Sequence, residues 1–348
     1  MASPSVAQGP IFDFRFVISS FWPLTSRLRR LRSNLRPLAS GLRPLTSDFW
    51  LLTSALLLLV PAAFAADPSP AAHGLLLDAV KVGQTVIAVG ERGRIIRSTD
   101  SGRTWELTPS PTGATLTGIT FADDQSGWVV GHDGMILHTR DGGVTWNQQH
   151  NDKTISFLDV LALDNHRAYA VGSFGTFYAT EDGGTTWTQQ HVSEQDSHLN
   201  RITATGDGVL FIAGERGTLL RSTHNNLSFT PTPTGYEGSF FGVLPLGDSG
   251  LLAYGLRGHV FRSDSAELSW QPVDIESTSL IMTAVKLKTG VIVLAGQARA
   301  FSVSKDNGRT FHSWHPGLTT GVAELLEAPD GSLLAFGEAG VTRLPKPE

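Results

Sequence analysis

Residues 130–146 read VGHDGMILHTRDGGVTW, and this stretch decides the fold because it returns along the chain. Residues 171–187, VGSFGTFYATEDGGTTW, repeat it almost position for position. A glycine preceded by a short apolar run recurs seven times at intervals of 41 or 42 residues. These repeat glycines are Gly90, Gly131, Gly172, Gly214, Gly255, Gly296 and Gly337. One structural unit of about 41 residues is therefore repeated seven times.

Each unit places apolar residues where four short strands would pair. Fifteen positions before each repeat glycine lies an apolar residue: Leu75, Leu116, Phe157, Leu199, Phe240, Ile281 or Val322. Fifteen positions after it, in six units, lies an aromatic: Trp105, Trp146, Trp187, Phe229, Trp270 or Phe311. In the second unit we expect strands near 116–121, 127–130, 135–139 and 145–149, separated by Gly-, Asp- and Asn-rich turns. The pattern predicts an all-β chain whose residues 66–348 form a seven-bladed β-propeller of four-stranded antiparallel blades.

The seventh unit ends before its fourth strand, because the sequence stops at Glu348. Either residues 66–74 supply that outer strand and close the ring, or the last blade keeps three strands. We favour the first arrangement, since pairing the two ends would protect an exposed sheet edge.

Residues 1–65 read as a leader. Phe49–Val60 is an apolar run of 12 residues with arginines before it, and Ala63-Phe64-Ala65 follows as a small-x-small cleavage site. This length suits a signal peptide with cleavage after Ala65 better than a membrane span. An uncleaved anchor is the alternative. The low-complexity residues 1–45 indicate either an unusually long leader or a start site placed too far upstream, and we favour the second. We expect a periplasmic or secreted protein.

Charge and composition narrow the function classes. The sequence has 27 basic and 32 acidic residues, and seven of the arginines and two of the aspartates fall within residues 1–65. The remaining 20 basic and 30 acidic residues give residues 66–348 a net charge of about −10, which argues against nucleic-acid binding. The sequence has no Cys and no metal-like His spacing, so we expect no disulfide, metal or cofactor.

Four units carry the motif Ser/Thr-x-Asp-x-Gly-x-Thr-Trp/Phe in the turn after their third strand. Its key residues are Ser98, Asp100, Gly102 and Trp105; Thr139, Asp141, Gly143 and Trp146; Thr180, Asp182, Gly184 and Trp187; and Ser304, Asp306, Gly308 and Phe311. Asp can accept backbone N–H groups of its own turn, Gly allows a left-handed conformation, and the aromatic packs beneath. We interpret the motif as structural, because four copies on separate blades cannot converge on one catalytic or calcium site.

This motif resembles the Asp-box, or BNR repeat, of sialidases and sortilin-type receptors. The longer string from residue 130 to 146 is similar to the repeats of the Ycf48/Hcf136-like family of photosystem II assembly factors, and the likeness spans about residues 75–343. The resemblance implies a non-catalytic propeller, monomeric, that helps to assemble a membrane protein complex on its periplasmic or lumenal side. That complex would be photosystem II if the host is a phototroph.

Two other functions remain open: a secreted Asp-box glycoside hydrolase, and a glycan- or peptide-binding receptor. Tyr169, Tyr178, Tyr236 and Tyr254 do not form a sialidase-like Tyr/Glu constellation in the sequence, and the Phe/Tyr-Arg-Ile-Pro motif typical of sialidases is absent. The carboxylates that could act as a catalytic pair are Glu91, Asp133, Glu215 and Glu338, all in the turn after the repeat glycine. Solvated turn residues are the plainer interpretation of these four.

The same turns carry a concentration of positive charge on an otherwise acidic body. The arginines are Arg92, Arg94, Arg216, Arg257 and Arg299. In a propeller these turns share one face with the blade-to-blade links, while the Asp-box turns lie on the opposite face. Arg suits carboxylate and interface contacts, so we predict a partner-docking face here, with simple solubility as the alternative.

Overall fold

The computed structural model describes residues 70–222, 227–247, 250–265 and 269–347. The predicted leader, with its apolar run at 49–60 and cleavage after Ala65, lies outside these residues and stays a prediction. Within them, no helix combines the length and apolar character needed to cross a bilayer.

The described chain forms seven antiparallel sheets whose strands follow one another in sequence order. Blades one to four comprise β1 Leu76–Val82, β2 Thr85–Gly90, β3 Ile95–Ser98, β4 Glu106–Thr108; β5 Leu116–Phe121, β6 Gly127–Gly131, β7 Ile136–Thr139, β8 Asn147–His150; β9 Phe157–Ala162, β10 Ala168–Gly172, β11 Phe177–Thr180, β12 Thr188–Gln189; and β13 Leu199–Ala204, β14 Leu210–Gly214, β15 Leu219–Ser222, β16 Phe229–Pro231. Blades five to seven comprise β17 Phe240–Gly247, β18 Gly250–Gly255, β19 Val260–Ser263, β20 Gln271–Val273; β21 Ile281–Lys286, β22 Ile292–Gly296, β23 Phe301–Ser304, β24 His312–Ser313; and β25 Val322–Glu327, β26 Leu333–Gly337, β27 Gly340–Leu344. Single 3₁₀ turns occur at Pro70–Ala72, Glu91–Gly93, Ser173–Gly175 and Leu256–Gly258.

The predicted seven-bladed β-propeller is confirmed, including the strand positions of the second unit. The second strand of each blade is buried along nearly its whole length, as in β6 and β10, because a blade on each side covers both of its faces. The outermost strands are short and exposed, as in β8 and β12. Runs of apolar residues before each repeat glycine are thus explained by burial on both faces.

The hydrophobic core lies between adjacent blades. Ile87 and Val89 of blade one pack with Val129 and Trp146 of blade two in one buried cluster. Such clusters recur around the ring, so each blade is stable only beside its neighbours.

In blade one, the apolar residue that pairs with the repeat glycine is not the one predicted from the sequence. Leu76, not Leu75, pairs with Gly90 and is fully buried, while Leu75 is half-buried. The count of fifteen residues fails because blade one is one residue shorter between this position and its glycine.

The ring closes without a shared strand in the described residues, contrary to the arrangement we favoured for residues 66–74. Residues 70–72 form a 3₁₀ turn and residues 73–74 are irregular, so blade seven has three strands; residues 66–69 lie outside the described chain. Side chains join the first and last blades instead: Arg103 pairs with Asp330 at 2.7 Å, and Arg343 Nη2 donates to the Ser101 carbonyl at 2.6 Å. Apolar contact adds to this, because the rings of Trp105 and Phe336 meet edge to face at 5.9 Å.

Candidate functional site

The Asp-box turns satisfy their own polar groups. In blade two, Asp141 Oδ1 accepts the N–H groups of Val144 and Thr145 at 3.1 and 2.9 Å. Its Oδ2 accepts the Thr145 hydroxyl at 2.6 Å, and Thr139 Oγ1 donates to Asp141 while accepting the Gly143 N–H. Gly143 has φ 81°, and a Cβ there would come within 2.5 Å of Ile87 on blade one.

The same hydrogen bonds occur in blades one, three and six around Asp100, Asp182 and Asp306. Partial burial opposes ionisation of Asp100, but the hydrogen bonds from Thr104, Ser98 and the Arg103 amide outweigh it and lower the pKa of Asp100 to about 2. The carboxylates are therefore ionised braces within their turns, and the geometry supports a structural role for the motif.

Two faces can be told apart by the hydrogen bonds of the turns. The turns after the second strands bind the blade-to-blade links, as where the Gly134 N–H donates to the Ile155 carbonyl at 2.8 Å. The Asp-box turns bind the turns after the first strands, as where the Gly142 N–H donates to the Gln125 carbonyl at 3.0 Å. The predicted arginines and the Asp-boxes are thus on opposite faces.

The structure separates the five predicted docking arginines into two groups. Arg92, Arg216, Arg257 and Arg299 are exposed and have left-handed backbones, with φ of 56°, 53°, 58° and 64°. Arg94 is half-buried, and its Nη1 donates to the Ala71 carbonyl at 3.2 Å, so it holds the first described turn in place. We call the four exposed residues the arginine face.

A cavity of about 600 Å³ opens beside Arg216. The links before blades four and five form its walls, and Leu219, Leu220 and Phe229 contribute an apolar lining. The exposed side chains of Arg216, Glu194 and Glu237 therefore lie next to an apolar recess.

The four carboxylates considered for catalysis do not form a pair. Glu91, Glu215 and Glu338 each accept a backbone N–H from the residue just before the first strand of their own blade, and these residues are Leu75, His198 and Gly321 respectively. Asp133 is exposed in a left-handed turn. Three of the four therefore brace a turn in equivalent ways on three blades.

A central cluster of polar side chains is the feature that sequence reasoning missed. Its members come from the inner ends of the blades: Asp78, Asp159, Arg201, Tyr254, Thr283 and Glu324. Arg201 Nη2 donates to Glu324 Oε2 at 2.8 Å, and Thr283 Oγ1 donates to Glu324 Oε1 at 2.8 Å. Asp78 and Asp159 accept the backbone N–H groups of Ile119 and Ile202 in neighbouring blades.

Burial dominates the electrostatics of this central cluster. It raises the pKa of Asp159 to about 6 against the lowering effect of Arg201, and raises the pKa of Tyr254 to about 12. Burial together with nearby Glu324 raises the pKa of Asp78 well above its usual range. Less than a tenth of the surface is exposed in each of Asp78, Asp159, Tyr254 and Glu324. The cluster is therefore suited to retaining protons and to joining the blades rather than to contacting a substrate.

The signal for this cluster exists only when the seven units are aligned. In each blade, one residue of the first strand pairs with the residue that immediately precedes the repeat glycine. From blade one to blade seven, these first-strand residues are Asp78, Gly118, Asp159, Arg201, Gly242, Thr283 and Glu324. Along the chain these residues look like isolated polar positions about 41 apart.

Metal binding finds no support in the described part of the chain, where His, Cys, Asp and Glu do not gather in groups of three that could hold an ion. His138 stacks on Trp128 at 4.6 Å, and burial followed by the charge of Arg140 lowers its pKa to about 4. It is therefore a neutral core residue at physiological pH.

Comparison with known proteins agrees with the resemblance carried by the repeats. The family model described as photosynthesis system II assembly factor YCF48 matches residues 103–156 and 149–223. This match covers the second and third blades and parts of their neighbours, and it confirms the resemblance to that family. No curated protein is similar enough in sequence to count as a relative.

Solved propellers have the same fold. A structure titled "YCF48 bound to D1 peptide" matches with a TM-score of 0.67 and 20% identity, over 79% of this chain and 93% of that one. YCF48 from Cyanidioschyzon merolae matches with a TM-score of 0.65 and 18% identity, over 78% and 95%. The WD40 propeller domain of Doa1 matches with a TM-score of 0.61 and 14% identity, over 79% of this chain and 94% of that one. At these identities the likeness shows the fold alone.

Proposed function

We propose that this protein is a non-catalytic Ycf48-like propeller that assists assembly of a membrane protein complex by binding a partner polypeptide on its arginine face. The observation that carries the proposal is the arginine face itself: four exposed arginines on one side of an acidic body, opposite the repeated structural turns. The match to the YCF48 family model supports the class of function.

Peptide binding also fits a similar structure, which holds YCF48 with a D1 peptide. In this chain the guanidinium groups would bind carboxylates of the partner in paired hydrogen bonds. The partner we propose is a membrane protein reached from the periplasmic or lumenal side, and photosystem II in a phototrophic host. The propeller would act as a monomer.

Cross-linking in intact cells followed by mass spectrometry tests this proposal. The wild type should capture a membrane protein, and the Arg216→Glu/Arg257→Glu variant should lose that capture at unchanged melting temperature. Adding Arg92→Glu and Arg299→Glu to this double variant should abolish any capture that remains.

The matched control makes the same change of charge on the opposite face. Arg140→Glu/Lys305→Glu alters two exposed cations of the Asp-box turns and should leave capture intact. Equal loss in both double variants would reduce the effect to net charge and would contradict the proposal. A fluorogenic glycoside panel should show no turnover, and turnover would favour the glycoside hydrolase instead.

A further inference from the structure

Phe174 stands out on the face that carries the arginines. Its side chain is 72% exposed although it is a large apolar group, and its backbone is left-handed with φ 53°. Its ring meets His198 edge to face at 4.8 Å and otherwise faces solvent. A bulky aromatic in this conformation is unusual and signals strain that a function can explain.

Equivalent positions in other blades show that folding does not require an aromatic there. The second residue after the repeat glycine has φ between 52° and 58° in six blades, occupied by Arg92, Asp133, Phe174, Arg216, Arg257 and Ala298. Backbone hydrogen bonds hold the turn of blade three, where the Gly172 N–H donates to the Thr176 carbonyl at 2.9 Å and the Gly175 N–H to the Ser197 carbonyl at 2.9 Å. Any side chain leaves these bonds intact, so the choice of Phe is not explained by the turn.

Position in the ring gives Phe174 a defined electrostatic setting. Blade three lies between blade two, which presents Asp133, and blade four, which presents Arg216; Arg257 and Arg299 follow in the next two blades. An acidic segment is attracted to Arg216 and the arginines that follow it, and is repelled from Asp133 and from the exposed Glu194 and Asp196 of the link after blade three. Exposed arginines alone bind many acidic segments, whereas a buried aromatic contact supplies specificity at the centre of an interface.

We propose that Phe174 is the apolar anchor of the arginine face and binds a partner segment in which one apolar side chain is followed by acidic residues on one side. The anchor covers the partner's apolar side chain, and Arg216 and Arg257 bind the acidic residues that come next. This inference rests on the proposed function and specifies the chemistry of the segment that the arginine face receives.

Two synthetic peptides test the inference by fluorescence anisotropy on the full propeller. The first carries one phenylalanine followed by three glutamates spaced by glycine, and the second replaces the phenylalanine by serine. Wild type should bind the phenylalanine peptide about ten-fold more tightly. Phe174→Asn should remove that preference without weakening binding of the serine peptide, because Asn adopts the left-handed conformation readily and the turn is kept.

Controls separate the anchor from general apolarity and from the arginines. Leu107→Asn removes another apolar side chain, 62% exposed on β4, and should change neither affinity, while Phe174→Trp should retain the preference. If Phe174→Asn still prefers the phenylalanine peptide while Arg216→Glu/Arg257→Glu binds neither, the inference is wrong and the arginine face stands. If the wild type binds neither peptide, both the role of Phe174 as an anchor and the role of the arginine face in binding are contradicted.

Discussion

The Asp-box turns and the central cluster use the same side chain, aspartate, in opposite environments. Asp100 and Asp141 lie near solvent and bind groups of their own turn, which lowers their pKa. Asp78 and Asp159 are buried, bind backbone N–H groups of neighbouring blades, and have raised pKa values. The first set stabilises one blade at a time and can therefore be repeated, whereas the second joins blades and occurs once in the described part of the chain.

This difference separates the parts of the sequence that repeat from the parts that specify one ring. The Asp-box is missing in blades four and five, and those blades still form four strands each. Among the residues that the structure describes, the central cluster has no second copy, and its arginine faces three carboxylates from three blades. We therefore expect loss of a cluster residue to affect the whole propeller and loss of one Asp-box to be local.

Arg201→Ala should produce the largest loss of stability. It leaves Glu324, Asp78 and Asp159 buried without their cation, and breaking a buried ion pair in this way costs about 3–5 kcal/mol. Urea unfolding followed by tryptophan fluorescence measures the change. Arg309→Ala is the control, since its exposed side chain should contribute about 0.5 kcal/mol or less; equal losses in both variants would contradict the distinction between the two regions.

The pH dependence of unfolding should come next in size. The pKa of Asp159 is about 6 in the folded protein and 3.8 without the fold. The folded state thus binds the proton more tightly, and the stability from this carboxyl is complete below pH 3.8 and lost as pH rises through 6. The difference between these two pKa values corresponds to roughly 3 kcal/mol of unfolding free energy.

Asp159→Asn should flatten the decrease of unfolding free energy between pH 4 and pH 7. Asp78, whose pKa is also raised by burial, remains in the variant and leaves a residual slope. Asp100 acts with the opposite sign, because its pKa near 2 gives stability that is lost only as pH falls below 3.8. An unchanged slope from pH 4 to pH 7 in the variant would show that Asp159 is not protonated in the fold.

Asp141→Ala should have a smaller and local effect. It removes the acceptor of the Val144 and Thr145 N–H groups, with an expected loss of about 1–3 kcal/mol. Hydrogen exchange should increase in β7 and β8 and remain as in wild type elsewhere. Ser265→Ala, at the corresponding position of blade five, should change stability by less than about 0.5 kcal/mol.

The sequence predicted most of the fold because its signals are local. Gly131, Asp141 and Trp146 each act within their own turn or on the adjacent blade, and their spacing gave the number of blades and the order of strands. The central cluster could not be predicted in this way, because Asp78 and Arg201 approach each other only after the ring has closed. The structural role of Arg94 was not predicted for a related reason, since its partner at Ala71 lies in a segment with no repeat.

The arginine face was predicted from composition of equivalent turns, whereas Phe174 was not. An aromatic in a turn rich in Gly and Ser reads as part of the following strand, and only the backbone angle and the exposed surface reveal that it points to solvent. Backbone strain depends on the three-dimensional conformation, and an alignment of the repeats does not reveal it.

Because the last blade meets the first through Arg103, Asp330, Arg343 and Ser101, this seam is an electrostatic latch rather than a continuation of the main-chain ladder in the described residues. High ionic strength would weaken this latch while leaving the apolar contact of Trp105 with Phe336 in place.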